Sequence, residues 1–236
     1  MNQTAVLAIF SGALIGFSHW IEAIGFYMRV VGANHGLAAL GYSAHVQIAT
    51  VSRFGTLLAF PLIGYLIDNG HSASIISYSF VSYAFVFVLL NTITAKSGFE
   101  IIFYERFFFF IMNKINRIGE IKSNNLDVVY PNEFQYDESK LFLLSLFSYG
   151  VMIFGVFSVF FASTIVPEYR ATILQIGPLI TGVGAIVSTT YFDPYVSLIM
   201  DRSPRKNDAV STIVKGRSYS ALLLAIVLSS INFFYV

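Results

Sequence analysis

Six long apolar runs, and cations kept almost entirely out of them, leave this chain one solvent to fold in. The runs cover 4–29, 37–66, 74–95, 141–166, 171–192 and 218–236. A helix needs about 20 apolar residues to cross a bilayer. Thirteen of the 14 Lys and Arg residues fall at the edges of these runs or between them, and the fourteenth, Arg53, sits in the middle of the second. Hydrophobic residues make up 56% of the chain and charged ones 11%, against about 25% charged in soluble domains. The alternating pattern of a transmembrane barrel is absent, and a helix satisfies its backbone groups within each lipid-exposed segment. The expected fold is an all-α integral membrane protein with six transmembrane helices.

The junctions after the first, third and fifth runs hold Arg29, Lys96, Arg106, Lys114, Arg117, Lys122, Lys140, Arg202, Arg205, Lys206, Lys215 and Arg217, whereas the opposite junctions hold only Arg170. Basic loops stay in the cytoplasm, so both termini are expected outside and the two large loops inside. The first run lacks a basic leader and a small-residue cleavage site, and reads as a retained helix. With no cysteine, thiol chemistry, Cys-ligated zinc and disulfides are excluded. The net charge of +1 identifies no partner, and nothing points to nucleic acid.

Residues 97–140 divide the chain into transmembrane halves 1–96 and 141–236. Within the divider, Glu100 to Arg117 carries Phe103, Tyr104, Phe107, Phe108, Phe109 and Phe110, then Lys114 and Arg117. Too short to span, it reads as a cytoplasmic interfacial helix or as a helix packed on the bundle. Ser123 to Ser139 is polar and acidic and reads as a loop. Three spans per half is an odd number, so the halves cross in opposite directions, as in transporters built from inverted repeats. One echo supports a repeat: Pro61 to Asp68 and Pro194 to Asp201 each read Pro, six apolar or small residues, then Asp. It would place Asp68 and Asp201 at opposite faces.

Few residues offer chemistry. Arg53 lies about 25 Å along a helix starting near Leu37, close to mid-bilayer. An arginine there costs from about 3 to above 10 kcal/mol and needs a partner or a water-filled cavity. A purely structural pairing is the bland alternative. Glu22, the only acid in the first run, lies about 10 Å from Arg29, at a depth similar to His45, its candidate polar partner. His45 alone reads as a neutral packing residue, as does Gln47. Arg29 at the surface reads by default as a snorkelling anchor, and Asp193-Pro194 as a helix end. His19 and Trp20 receive no role. No phosphate-binding glycine loop or zinc helix is present, so the sequence suggests no catalytic residue, metal site or cofactor.

Two stretches resemble a known family. The first is Ile21-Glu-Ala-Ile-Gly-Phe-Tyr-Met-Arg29-Val-Val-Gly32, followed by Ser52-Arg53 and Pro61-Leu-Ile-Gly64. The second runs from Thr181-Gly-Val-Gly-Ala185 through Asp193-Pro194 to Asp201. Both are similar to signatures of the Amj family, the alternate lipid II flippases of bacteria. The resemblance covers the first 70 residues and 172–202. It departs at Thr56 and Ala59, where the family tends to have Asn and Gln, and at Thr181, which replaces an Asn.

The resemblance implies a multi-pass flippase of the bacterial plasma membrane that moves a lipid-linked cell-wall precursor in peptidoglycan synthesis, not an enzyme. It implies a substrate site of Arg53, Arg29, Glu22, Ser52 and Asp193, with guanidiniums facing the diphosphate, Glu22 holding Arg53 in the empty site or binding a coupling proton, and the tail left among membrane lipids. Two other classes compete with it. A membrane enzyme acting on lipid phosphates would need a metal-binding acid cluster, and a non-catalytic subunit would need an obligate partner. Oligomeric state is not legible.

Overall fold

The computed structural model describes residues 3–70, 73–97, 104–110 and 134–235. Among these, every regular element is a helix, and six helical segments are long and apolar enough to cross a membrane.

The first crossing is α1 (Gln3–Ile24), continued after a break at Gly25 by α2 (Phe26–Asn34). The chain then reverses through Gly36 at φ 70°, with Leu37 N–H donating to the Gly32 carbonyl and Gly36 N–H to that of Ala33. This is the left-handed helix stop that glycine makes at no steric cost. The second crossing is α3 (Ala38–Asp68) and the third α4 (Ala73–Ser97). Residues 104–110 form a short helix, α5.

The fourth crossing, α6 (Glu138–Ile165), is capped by Asp137, whose carboxylate accepts from the backbone N–H groups of Ser139 and Lys140. A single 3-10 turn, Pro167–Tyr169, leads into the fifth crossing. That crossing is α7 (Arg170–Val187), a π-helical segment Ser188–Phe192, and α8 (Asp193–Arg202). The last is α9 (Lys206–Tyr235), which starts well before the apolar run 218–236.

Packing follows one scheme in both halves. In the first, α1 packs closely against α3 and α4, which barely touch each other. In the second, α6 packs closely against α7 and α9. The halves join mainly through α4 and α9, leaving α3 and α7 on the outside. Arg170 at the start of α7 donates to Asp68 at the end of α3, at 3.2 Å. Asp201 ends α8 one crossing later, so Asp68 and Asp201 lie at opposite faces. The face carrying Arg202, Arg205 and Lys206 is called the basic face below.

The tightest joint follows from small residues four apart. Gly12 and Gly16 of α1 lie against the α4 backbone: a Cβ on Gly12 would fall 2.0 Å from the Ser79 carbonyl oxygen. Small residues at this spacing let membrane helices approach closely. Ser79 and Ser82 use the proximity to donate to the Ala8 and Ile9 carbonyls.

Two apolar cores stack along the helices. One gathers Ile15, Ile63, Phe80, Tyr83, Phe87 and Phe157. The other, towards the basic face, gathers Phe26, Met28, Tyr104, Phe108, Phe192 and Ile213. Of the expected interfacial helix only α5 is described. It buries Tyr104 and Phe108 against the bundle, stacks Tyr104 on Tyr27 at 5.1 Å, and leaves Phe107 and Phe110 outward. The rest of Glu100–Arg117 and most of Ser123–Ser139 lie outside the described residues.

Candidate functional site

Glu22, Arg217 and His45 each lie between residues of the two cores: Ile15 and Phe26, Ile213 and Ala221, and Ala44 and Ala59. A polar layer therefore crosses the bundle between them, about 18 Å along the helix from Asn34. It forms where the two broken crossings meet. Gly25 interrupts the first, and the π segment interrupts the fifth and brings Phe192 against Phe26, with ring centroids 5.9 Å apart. Extra-residue bulges of this kind recur at functional sites.

Two ion pairs occupy the layer. Arg217 donates from Nη1 to Glu22 Oε1 at 3.1 Å, and Arg29 donates from Nη2 to Asp193 Oδ1 at 3.3 Å. Both guanidiniums lie over the Phe26 ring, at 4.7 Å for Arg217 and 5.4 Å for Arg29. Arg217 also covers Tyr149 and Arg29 covers Tyr42. Aromatic faces stabilise a desolvated cation by about 0.5–2 kcal/mol. Arg29 Nε and Nη1 and Arg217 Nε are buried with no hydrogen-bond partner among the described residues. Asp193 stands in the first turn of α8, where the helix dipole favours an anion.

Cavities flank the layer. Towards the basic face lies one of about 440 Å³, lined by Arg29, Tyr42, Ser197 and Asp201 among others. On the other side a smaller one of about 90 Å³ lies among α1, α3, α6 and α7 and is lined by His19, Glu22, Thr56, Tyr149 and Thr181 among others; α3 and α7 make almost no contact with each other. His19 meets the Tyr83 and Tyr149 rings edge-on, and the two tyrosine hydroxyls are 3.1 Å apart. Trp20 donates to Thr94 Oγ1. Among the described residues, no three His, Asp or Glu side chains converge as a metal site.

The structure brings together four of the residues singled out in the sequence: Glu22, Arg29, Asp193 and His45. It does not pair Glu22 with Arg53, because Arg217 takes the carboxylate. Nor does Glu22 bond His45, whose ring packs on Phe26 at 4.3 Å. Arg29 is buried rather than snorkelling, and Asp193-Pro194 begins α8 instead of ending a helix. Ser52 is buried and donates within its own helix to the Ala49 carbonyl. Arg53 is exposed on α3, without an ion pair or hydrogen bond among the described residues. It shares a helical stripe with Thr56 and Phe60, which line the smaller cavity.

Arg217 falls outside the apolar runs, since the last of them begins at 218. A signal was present. Ala209, Ile213, Arg217, Ser220 and Leu224 form one buried stripe on α9, at helical spacing.

Two comparisons with known proteins find matches. The profile of the family described as "Amj: Alternate to MurJ" matches residues 110–230. That range includes Tyr149, Asp193 and Arg217, while Glu22, Arg29 and Arg53 lie before it. Lipid II flippase Amj of Bacillus subtilis (strain 168) is 24% identical over 222 residues, covering 84% of this chain and 80% of the relative. No solved structure matches. With more than half of its length under the family profile, this multi-pass membrane protein belongs to the Amj family.

Proposed function

We propose that the chain translocates a polyprenyl-diphosphate-linked cell-wall precursor, lipid II, across the bacterial plasma membrane, with both termini outside and the basic face in the cytoplasm. The observation that carries this reading is the polar layer: two buried arginines with unpaired donors, set between a cavity on either side. A diphosphate cannot enter hydrocarbon unaided, and guanidinium binds phosphate oxygens bidentately with little desolvation of its own. A headgroup in the cavity beside Arg29 meets that arginine first and Arg217 next, and leaves past Glu22 and His19. The gap between α3 and α7 lets the polyprenyl tail stay in lipid, with Arg53 exposed on α3 to attract phosphate and Ser52 behind it.

The family assignment and the name of the relative favour transport over chemistry on the lipid. The test is translocation of fluorescent lipid II in proteoliposomes holding the purified chain. Transport should occur and should be lost in Arg29→Ala and Arg217→Ala. Metal-dependent release of phosphate or transfer of sugar from the lipid, without translocation, would instead support a membrane enzyme.

A further inference from the structure

We propose that Glu22 and Asp193 are place-holders, which occupy the donors of Arg217 and Arg29 in the empty site and compete with the incoming diphosphate for them. The inference rests on the diphosphate reading above.

Three observations carry it. First, each carboxylate takes only one guanidinium nitrogen, at 3.1 and 3.3 Å. Charge-assisted N–H···O bonds of full strength are nearer 2.7–2.9 Å, and Arg–phosphate pairs are commonly bidentate. The unpaired Nε of Arg217 and the unpaired Nε and Nη1 of Arg29 are the donors that two-point phosphate binding would use.

Second, the layer carries two acids and two arginines and is neutral when empty. A neutral layer lowers the cost of holding cations in the bundle. A diphosphate brings its own negative charge, so the carboxylates become surplus and repel it unless they withdraw.

Third, the partners differ in freedom. The arginine side chains are 3% and 9% exposed, for Arg29 and Arg217, and each is fixed over two rings. Their acids are 28% exposed for Asp193 and 19% for Glu22, and Glu22 lines a cavity into which it can swing. The arginines are the fixed elements and the acids the exchangeable ones.

The consequence runs against the usual expectation for removing a buried charge from a site: neutralising an acid strengthens ligand binding while it weakens transport. The test uses the full chain in lipid nanodiscs, with undecaprenyl diphosphate as probe, and lipid II translocation in proteoliposomes. Glu22→Gln and Asp193→Asn should each tighten binding about tenfold, which is about 1.4 kcal/mol, since a charge-assisted competitor is removed. Each should also slow translocation, because an arginine without its place-holder releases the diphosphate late. The substitutions act on separate pairs, so either one that folds decides the matter. Unchanged or weaker binding in the acid variants, with binding lost in Arg29→Ala and Arg217→Ala, would overturn the place-holder role and leave the diphosphate site standing. Undiminished binding in the arginine variants would overturn both.

Discussion

Removing Arg217 alone should harm this protein more than removing Arg217 together with its partner. The guanidinium is 9% exposed and Glu22 is 19% exposed, bonded at 3.1 Å within an otherwise apolar bundle. Breaking a buried pair from one side leaves an uncompensated charge and costs about 3–5 kcal/mol. Losing the Phe26 and Tyr149 faces beneath the buried cation adds about 2 kcal/mol. Glu22→Ala leaves Arg217 unpaired, but that cation keeps both rings, so its cost should sit at the lower end of the range. The double variant Glu22→Ala/Arg217→Ala leaves no orphan charge. Groups coupled this closely depart from additivity by about 0.5–3 kcal/mol, and a double variant less damaged than Arg217→Ala requires a coupling at the top of that range, about 3, since it must offset the whole Glu22→Ala cost. The assay is reversible unfolding of the wild type, both single variants and the double variant in mixed micelles, read as a double-mutant cycle. Additivity within ~0.5 kcal/mol would show that the two side chains do not depend on each other, and the description of the polar layer would fail with it.

Three further outcomes follow from other parts of the molecule. Gly12→Leu should lower membrane abundance and stability by at least ~1–3 kcal/mol, the range for overpacking, since its Cβ alone would collide with the Ser79 backbone; normal thermal stability in detergent would contradict the close α1–α4 approach. Arg53→Ala should leave stability within ~0.5 kcal/mol, as at other exposed sites, yet slow lipid II translocation, whereas Arg53→Lys, which keeps the charge, should retain most of the rate; an unchanged rate in Arg53→Ala would remove Arg53 from the path. Single cysteines replacing the exposed Asp68 and Asp208 test sidedness in a chain with no native thiol: an impermeant maleimide applied to intact cells should label position 68 and spare position 208, and the reverse pattern would invert the orientation.

The six crossings were readable because lipid imposes length and composition on each of them, whatever the helices pack against. What each crossing faces was less readable. Arg53 stands in a run that is apolar on all sides, so the sequence shows its depth but not its direction, and α3 turns it outward. Arg217 is the twelfth residue of α9 counted from Lys206, in a stretch whose Lys206, Asp208 and Lys215 read as loop. Counting apolar runs hides it, while counting the helical stripe from Ala209 to Leu224 exposes it. Asp193-Pro194 misleads for a related reason: proline fits the first turn of a helix as well as the end of one, and the π segment before it carries the crossing on into α8. The Gly12–Gly16 spacing was available from the start as a packing signal.

The central claim is that buried Arg29 and Arg217, and not the exposed Arg53, form the diphosphate-binding layer of the transport path. The most direct test is growth of a bacterial strain depleted of its other lipid II flippases and carrying this chain as wild type, Arg29→Lys, Arg217→Lys or Arg53→Lys, each at matched membrane abundance. Lysine keeps the charge but loses the bidentate fork. On this account wild type should support growth, Arg29→Lys and Arg217→Lys should fail, and Arg53→Lys, which keeps its charge at the exposed site, should grow. Full growth with Arg29→Lys and Arg217→Lys would contradict it.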